Sequence, residues 1–370
     1  MVIHKAYKYR LKPTVEQEII IGKTFGCCRF IYNKMLSDKI EYYRENQTTL
    51  NNTPAQYKEE FEWLKEVDSL ALANEQLNLQ SSFKNFFRGI GNHKNIGFPK
   101  FKSKRKSKRS YTTNNIKNTI RLEGNTIKLP KLGNVAIVLH RQLPNGSKIK
   151  SCSISQKASG KYYIAILTEY EYTPPTIQLN KRKSIGIDYS SPKFYIDSQD
   201  IECGSPKYYR TYEEKLSKEN RKLSNMKLHS KNYDKQKKKI ARIYEKIANC
   251  RSNFLHNQSR YLVRTYDYIC VEDLNMQAIS QCLKLGKSTM DNGWGEFVNQ
   301  LTYKCFEEGN MLIKVDKWFA SSKTCNHCGS KYEKLQLNER QWVCPSCGVL
   351  IERDYNAAKN ILQEGLRLIG

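Results

Sequence analysis

Hydrophobic and polar residues alternate near the start of the chain. Tyrosine and leucine recur at every second position up to Leu11, and the pattern stops at Pro13. Such alternation is typical of a half-buried β-strand, and a proline cannot continue the ladder of hydrogen bonds. Thr14 follows as a candidate helix N-cap, with acidic residues close behind it. We therefore expect a strand that leads directly into a helix.

The next part of the chain has a helical pattern. From residue 14 to about Phe87, apolar residues recur at spacings near three and four, which predicts a small helical bundle. Between about residues 119 and 172, short apolar stretches alternate with turn residues such as Gly124 and Gly146. Short strands with frequent turns favour a small β-barrel. If the first strand pairs with these strands, the helical bundle is an insertion in the barrel.

After a pair of prolines at residues 174–175, strands and helices alternate. One apolar strand ends at Asp188, and another leads into Glu272. Long basic helices are predicted between them, at about residues 210–223 and 233–265. Further along, a helix is predicted at about 296–307, a strand at 311–315 and a last helix from about residue 354. This alternation indicates an α/β domain.

The composition adds a large positive charge. The 370 residues include 63 lysines and arginines against 36 aspartates and glutamates, a formal net charge of +27. Self-repulsion of this size opposes compaction, so we expect a polyanionic partner, and nucleic acid is the obvious one. A highly soluble basic surface is the alternative. An anionic membrane fits less well, because the charge is spread along the whole chain.

The apolar stretches are short. None approaches the ~18–20 residues that a membrane span requires, and the first residues lack the apolar segment of a secretory signal. We therefore expect a soluble cytoplasmic protein with no membrane partner, associated with the nucleoid when it binds DNA.

The positive charge is densest in residues 100–109, here called the basic tract. A block of like charge repels itself and cannot pack in a core, so it lies at a surface. Contacts to nucleic-acid phosphates are the functional interpretation, and a solvated face is the alternative for any single residue. The candidate nucleic-acid-binding residues are Lys100, Lys102, Lys104, Arg105, Lys106, Lys108 and Arg109.

Four of the 12 cysteines form two Cys-x-x-Cys pairs, Cys325 with Cys328 and Cys344 with Cys347. Each pair presents two thiolates from one tight turn, and two such turns supply the four sulfurs of a tetrahedral zinc site. Because no position is left open for a substrate, we expect the zinc to be structural. The other cysteines have no regular spacing and are expected to be reduced core residues.

Three carboxylates are candidates for a second metal site: Asp188, Glu272 and Asp354. The first two follow apolar strands, where an unpaired charge is costly unless a cation or a hydrogen bond compensates it. If the three converge, they suit two divalent cations ~3.5–4 Å apart, an arrangement that catalyses phosphodiester cleavage. Salt-bridged or capping acids are the alternative, since Asp354 stands at a predicted helix start.

The stretches around these carboxylates resemble one family. Residues 185–188 (IGID), 270–276 (CVEDLNM) and 352–361 (ERDYNAAKNI) are similar to the three RuvC motifs of TnpB, a transposon-encoded RNA-guided nuclease related to type V CRISPR effectors. Further similarity to this family lies in residues 26–33, 98–104, 293–297 and 318–325. The matches are dense over residues 184–361 and thinner before them.

The resemblance implies an α/β multidomain fold. An RNase H-like (RuvC) domain would be interrupted by a zinc ribbon, and a wedge-like β-barrel would carry an inserted helical recognition bundle. The implied boundaries are 1–13 and 98–178 for the barrel, 14–97 for the helical domain, 179–320 and 352–370 for the RuvC domain, and 321–351 for the zinc ribbon.

The resemblance also implies a function: RNA-guided cleavage of double-stranded DNA next to a short target-adjacent motif. The partners would be a noncoding guide RNA and double-stranded target DNA, with no small-molecule substrate. By position, Asp188, Glu272 and Asp354 would be catalytic acids that bind two Mg²⁺ ions, beside a structural Zn²⁺. The alternatives are a guided DNA-binding protein that does not cleave and a metal-dependent transposase. The lack of a recognisable helix-turn-helix in the sequence argues mildly against the transposase.

Overall fold

The computed structural model of the chain describes residues 1–91, 96–282, 286–336 and 338–370. Contacts divide it into an N-terminal unit, Met1–Tyr172, and a C-terminal unit, Thr173–Gly370. The units have hydrophobic cores of their own. No helix within the described ranges is long and apolar enough to cross a membrane.

The N-terminal unit contains a seven-stranded antiparallel sheet in the order β2-β6-β7-β1-β5-β4-β3. The strands are β1 (Val2–Lys12), β2 (Arg109–Asn114), β3 (Arg121–Glu123), β4 (Thr126–Leu129), β5 (Gly133–Val138), β6 (Lys148–Gln156) and β7 (Tyr162–Glu171). The first strand pairs with β7 and β5, so it joins the later strands as expected. Among the described residues β2 and β3 do not pair, and the sheet is therefore an open half-barrel where the pattern predicted a barrel.

The alternating pattern of β1 sets which face of the strand is buried. Tyr9 and Leu11 point into the core, whereas Lys8 is exposed. The strand ends before Pro13, and Thr14 caps the next helix as predicted. The Thr14 hydroxyl accepts from the Gln17 backbone N–H at 3.3 Å, and the Gln17 side chain accepts from the Thr14 N–H at 3.0 Å, which together form a capping box.

The helices of the N-terminal unit lie between β1 and β2 in sequence. They are α1 (Val15–Asn46), α2 (Tyr57–Glu60) and α3 (Ser69–Gly91), with a 3₁₀ turn at Glu62–Glu66. Helix α1 buries Ile21, Cys28, Ile31 and Met35 along one stripe, at the spacings that a helix requires. These residues share a core with the sheet, and the predicted helical insertion between barrel strands is present.

The C-terminal unit contains a five-stranded mixed sheet in the order β10-β9-β8-β11-β12, and a separate two-stranded ribbon. Its strands are β8 (Ser184–Tyr189), β9 (Tyr195–Asp197), β10 (Glu202–Cys203), β11 (Tyr268–Glu272), β12 (Met311–Val315), β13 (Gln341–Val343) and β14 (Leu350–Glu352). Its helices are α4 (Tyr208–Ser224), α5 (Lys231–Thr265), α6 (Met276–Cys282), α7 (Gly286–Asn292), α8 (Trp294–Glu308) and α9 (Arg353–Arg367). Strands β8, β11 and β12 run parallel.

Helices cover both faces of this sheet. Ile187 and Val271 pack on one face with residues of α5 and α8, whereas Cys270 and Ile313 pack on the other with Ile361 of α9. A parallel sheet buried on both sides confirms the predicted α/β character of this unit.

Three elements differ from the sequence pattern. Strand β2 begins at Arg109, inside the basic tract, because Tyr111 and Thr113 alternate into the core although the stretch is otherwise polar. The short helices α6 and α7 have too few residues to produce a clear helical period.

Candidate catalytic and metal sites

Two of the predicted acids lie at the carboxyl ends of neighbouring parallel strands. Ile187 of β8 is in register with Val271 of β11, and this is the last paired position of the two strands. Asp188 and Glu272 are the next residues of those strands. Adjacent strands lie ~4.8 Å apart. The sheet therefore places both acids side by side at one edge, on the face opposite Ile187 and Val271.

Helix α9 packs unusually closely on that face. A side-chain carbon at Gly186 would lie 2.7 Å from the backbone nitrogen of Leu362 and closer still to the carbonyl oxygen of Ala358. At the other end of the helix, a side-chain carbon at Gly365 would lie 2.9 Å from Cβ of Cys270. Only glycine allows a helix and a strand to approach so closely.

The close packing brings the third acid to the other two. Asp354 stands in the first turn of α9, beside the strand that carries Asp188. Burial raises the pKa of Asp188 well above its ordinary value, and the negative charges of Glu272 and Asp354 raise it further. Asp188 is thus close enough to both other carboxylates to be repelled by their charges.

Glu272 is held by a hydroxyl group. Ser321, in the segment after β12, donates a hydrogen bond to Oε1 of Glu272. Burial raises the pKa of Glu272, and the Ser321 hydrogen bond opposes that shift. The donor fixes the orientation of one carboxylate oxygen.

An arginine that the sequence did not single out contacts the third acid. Nη1 of Arg340 lies 3.0 Å from Oδ1 and 3.3 Å from Oδ2 of Asp354. Arg340 belongs to the segment between the two cysteine pairs, and together with Lys207 and Arg210 it lines a cavity of about 270 Å³. The three cations give this cavity a positive lining, although Asp291 also lines it.

The carboxylates are spaced more widely than the cysteines. Within the described residues, the four cysteines are the one group of potential ligands whose donor atoms all lie within 4.8 Å of one another. The oxygens of Asp188, Glu272 and Asp354 therefore do not all fall within that distance.

The four cysteine sulfurs have the geometry of a tetrahedral site. Sγ of Cys325 lies 3.7 Å from Sγ of Cys347, and Sγ of Cys328 lies 3.6 Å from Sγ of Cys344. A zinc ion bound at ~2.3 Å requires sulfur–sulfur distances of about 3.8 Å. Both distances agree with coordination of zinc by these sulfurs.

Each cysteine pair lies on a tight turn of the same construction. Gly329 donates its backbone N–H to the carbonyl of Cys325 at 2.8 Å, and Gly348 donates to that of Cys344 at 2.9 Å. Both glycines have positive φ angles, 74° and 71°, which other residues rarely adopt. The backbone N–H of Cys347 lowers the pKa of Cys344 to about 6, whereas desolvation and neighbouring thiols raise the pKa values of Cys328 and Cys347, so Cys344 deprotonates more readily than those two.

Two buried asparagines of α9 connect the cysteine turns to the acids, and we call them the asparagine bridge: Asn356 and Asn360. Their side-chain oxygens each accept at 2.9 Å from Asn326, which lies between the first two cysteines. The Asn360 amide donates to the carbonyls of Ser321 at 2.7 Å and Thr324 at 2.6 Å. The bridge therefore joins the first cysteine turn, the helix of Asp354 and the residue that holds Glu272.

The basic tract lies at the surface of the N-terminal unit. Six of its seven basic residues are exposed. Lys102 differs, because its amine pairs with the buried Glu75 and lies 4.0 Å from the ring centroid of Tyr32. Lys102 therefore also anchors the tract to α1 and α3.

A groove of about 510 Å³ borders the basic tract. Lys104 and Arg109 line it on one side, and Arg29 of α1 contributes a further cation. Nη1 of Arg109 donates to the Gln156 side chain at 2.7 Å, which fixes that guanidinium at the rim. The groove thus has three cations in its lining, although Glu18 also lines it.

Sequence reasoning missed the supporting residues of the site. Ser321 and the asparagine bridge lie in the family-like stretches 318–325 and 352–361, but no role was predicted for them. Arg340 lies outside those stretches and has no local pattern that distinguishes it from other basic residues. The signal available for the two asparagines was their spacing of four on the face of α9 that carries buried alanine and isoleucine.

Three family models match the chain. A model described as "Cas12f1-like, TNB domain" matches residues 294–361, and one described as "Probable transposase" matches residues 167–283. A third, described as "Helix-turn-helix domain", matches residues 1–48, although the sequence had shown no recognisable motif of this kind. In the structure those residues form β1 and the single long helix α1.

Similar proteins cover nearly the whole chain. A protein from Streptomyces pristinaespiralis, named as a candidate RNA-guided DNA endonuclease, is 33% identical over 98% of this chain and 90% of its own length. The Escherichia coli K12 protein InsQ, named in the same way, is 28% identical over 98% and 92%. Among solved structures, a Cas12f1–sgRNA–target DNA complex matches with a TM-score of 0.57 at 12% identity, covering 98% of this chain and 99% of the other.

The architecture is therefore that of the Cas12 effectors, with a four-cysteine ribbon inserted before the last helix of the α/β unit. Within this class, the chain belongs to the TnpB family.

Proposed function

We propose that this chain is a transposon-encoded, RNA-guided endonuclease that cleaves double-stranded DNA next to a short flanking motif. The observation that carries the proposal is the convergence of Asp188, Glu272 and Asp354 at the ends of two parallel strands and the start of α9. The names of the similar proteins support the guided activity.

The spacing of the carboxylates favours two metal ions. Mg²⁺ binds oxygen at ~2.0–2.1 Å, so two ligands of one ion lie at most about 4 Å apart. Because the three oxygens do not all lie within 4.8 Å of one another, one ion would not be held by all three as they stand, and the arrangement we propose is two ions ~3.5–4 Å apart. When bound, two Mg²⁺ ions would polarise the scissile phosphate and generate a hydroxide nucleophile.

The side chains of the site would each have a separate role. Asp188 would lie between its two acidic neighbours and hold the ions with them, and Ser321 would keep Glu272 in position. Arg340 neutralises Asp354 in the structure described here. With cations on that carboxylate, the guanidinium would be available to a phosphate oxygen of the substrate, for which its fork geometry is suited.

The other ligands follow from the remaining sites. Zn²⁺ in the four-cysteine cluster would be structural, because all four positions are filled by protein sulfurs. A noncoding guide RNA would supply sequence specificity by base pairing, while the basic tract and the groove beside it would grip phosphates. Residues 179–320 and 352–370 would form the RuvC domain, and residues 1–13 and 98–178 the wedge.

The test is cleavage by the RNA-loaded protein. The protein is purified, its bound RNA is sequenced, and matched duplex DNA is incubated with the complex and Mg²⁺. We expect the native complex to cut and the Asp188→Ala variant to bind without cutting. If both proteins bind the matched DNA and leave it intact, the chain is a guided DNA-binding protein and not a nuclease.

A transposase is the second candidate, favoured by the family model described as "Probable transposase" over residues 167–283. RNase H-like acids can also serve strand transfer. Joining of cut ends to a target DNA in the same reaction would support it, whereas cut ends that stay unjoined would exclude it.

A further inference from the structure

Trp318 is exposed to an unusual degree. Its exposed fraction is 82%, the largest among the large hydrophobic residues that the structure describes. Trp294 and Trp342, the other tryptophans of the C-terminal unit, are 2% and 5% exposed. An indole in water forgoes the favourable burial of a large apolar surface, so this position invites a functional explanation.

The exposed ring stands on a fixed turn. The Asp316 carboxylate accepts the backbone N–H of Trp318 at 2.8 Å, and the Asp316 carbonyl accepts that of Phe319 at 3.0 Å. Ser321 then donates its N–H to the Phe319 carbonyl at 2.8 Å, and Phe319 packs against the core beside β12. The turn is tied at both ends, so the ring is presented by a rigid support.

This turn lies at the edge of the sheet that carries the acids. Val315, the last residue of β12, is in register with Glu272, and Ser321 at the end of the turn donates to Glu272. Three residues of chain reach at most about 11 Å. Trp318 is therefore close to the carboxylates, at the strand ends where ligands of parallel sheets bind.

The charge beside the ring favours a nucleic acid. Nζ of Lys317 lies 5.1 Å from the centroid of the Trp318 ring. Paired aromatic and cationic side chains suit a single strand, whose bases stack while its phosphates attract the cation. The charge of Lys317 argues against an apolar protein surface as the partner of this ring.

We propose that Trp318 stacks on an unpaired base of the DNA strand being cut, next to the scissile phosphate, while Lys317 contacts that strand's backbone. The contact is independent of base identity, because every base presents a π-face. This inference rests on the proposed function, since it assumes that a DNA strand enters the site of the three acids.

The test uses the RNA-loaded complex carrying Asp188→Asn, so that DNA is bound but not cut. A single-stranded oligodeoxynucleotide of mixed sequence is titrated into this complex and into complexes with Trp318→Ala, Trp318→Phe or, as the control, Tyr261→Ala. Tyr261 is an exposed aromatic residue of α5. We expect Trp318→Ala to weaken binding about 5- to 150-fold, Trp318→Phe to weaken it less, and the control to leave it unchanged.

A second measurement locates the base. The fluorescent base 2-aminopurine is placed at successive positions of the displaced strand of a matched target. Stacking quenches it, so we expect quenching at one position near the cut that Trp318→Ala relieves. Equal binding by all variants and no position relieved would overturn the proposal, as would a change of oligomeric state in Trp318→Ala, which would assign the ring to a protein contact.

The two proposals fail in different ways. If the native complex does not cleave matched DNA but the fluorescence change occurs, the nuclease assignment is wrong, and Trp318 stacks on a bound strand that is not cut. If it cleaves and Trp318→Ala cleaves and binds equally well, the stacking contact is wrong and the nuclease stands.

Discussion

The close contact between α9 and β8 at Gly186 offers a direct test of how the acids are brought together. Gly186→Ala would place a methyl group 2.7 Å from the backbone nitrogen of Leu362 and against the carbonyl of Ala358. Both are backbone atoms of α9 and cannot rotate away as a side-chain end could. The helix itself must therefore move away from β8, and Asp354 must move with it.

The size of the effect follows from the contact distance. Non-bonded heavy atoms pack at ~3.5 Å or more, so α9 must retreat by at least ~0.8 Å from the Leu362 contact and further from the carbonyl oxygen of Ala358, which is closer still. Overpacking of this kind destabilises a fold by roughly 1–3 kcal/mol, which lowers the melting temperature by roughly 2–10 °C in a unit of this size. Misplacing a catalytic group by ~1 Å costs about 100-fold in rate.

The assay compares Gly186→Ala with Gly295→Ala. A side-chain carbon at Gly295, in the first turn of α8, meets no atom within 4 Å, so that variant should be as stable as the native protein or more stable by up to ~1 kcal/mol. Melting temperature and single-turnover cleavage are measured for both. If Gly186→Ala melts and cleaves like the native protein, the close approach of α9 does not position Asp354.

Two further predictions concern the acids and the asparagine bridge. The pKa of Asp188 is raised in the fold. In the metal-free protein, the contribution of this group to the free energy of unfolding is therefore complete below the unfolded pKa of ~3.9 and is lost as pH rises through the folded pKa. Asp188→Asn should therefore melt a few degrees higher than the native protein at neutral pH, and Mg²⁺ should stabilise only the native protein, more so as pH rises; a lower melting point for the variant would contradict this. Asn360→Ala removes one of the two amide donors to the carbonyls of Ser321 and Thr324 and the acceptor of the Asn326 side chain, at roughly 0.5–1.5 kcal/mol for each hydrogen bond lost, and should both speed zinc loss to a chelator and raise the Mg²⁺ concentration needed for cleavage. Gln363→Ala, which removes only an exposed 3.3 Å contact to Asn326, is its control, and equal behaviour of the two variants would show that the bridge is not involved.

Local patterns were sufficient where the determining residues are adjacent in sequence. The alternation in β1, the cap at Thr14 and the apolar strand before Asp188 each involve neighbours within a few residues, and the structure has all three features. The spacing of the cysteine pairs was equally local, because each tight turn is built from consecutive residues.

Features that depend on long-range packing could not be predicted. The open edge between β2 and β3 depends on which strands meet, and the charges of the basic tract concealed the alternation of β2. Arg340 reaches Asp354 only because the ribbon folds back on the start of α9. Nothing in the residues next to Arg340 distinguishes it from the many other basic residues of this chain.

The asparagine bridge explains how the cysteine cluster can affect the acids. Three carboxylates that repel one another cannot hold their own spacing, so their supports must be rigid. Asp354 stands on α9, and the buried Asn360 of this helix accepts a hydrogen bond from Asn326 in the first cysteine turn. Glu272 accepts a hydrogen bond from Ser321, whose carbonyl accepts one from Asn360. A metal that fixes the cysteine turn would therefore stiffen Asp354 and Glu272 together. On this account zinc contributes to cleavage through geometry alone, and its removal should weaken Mg²⁺ binding before it unfolds the sheet.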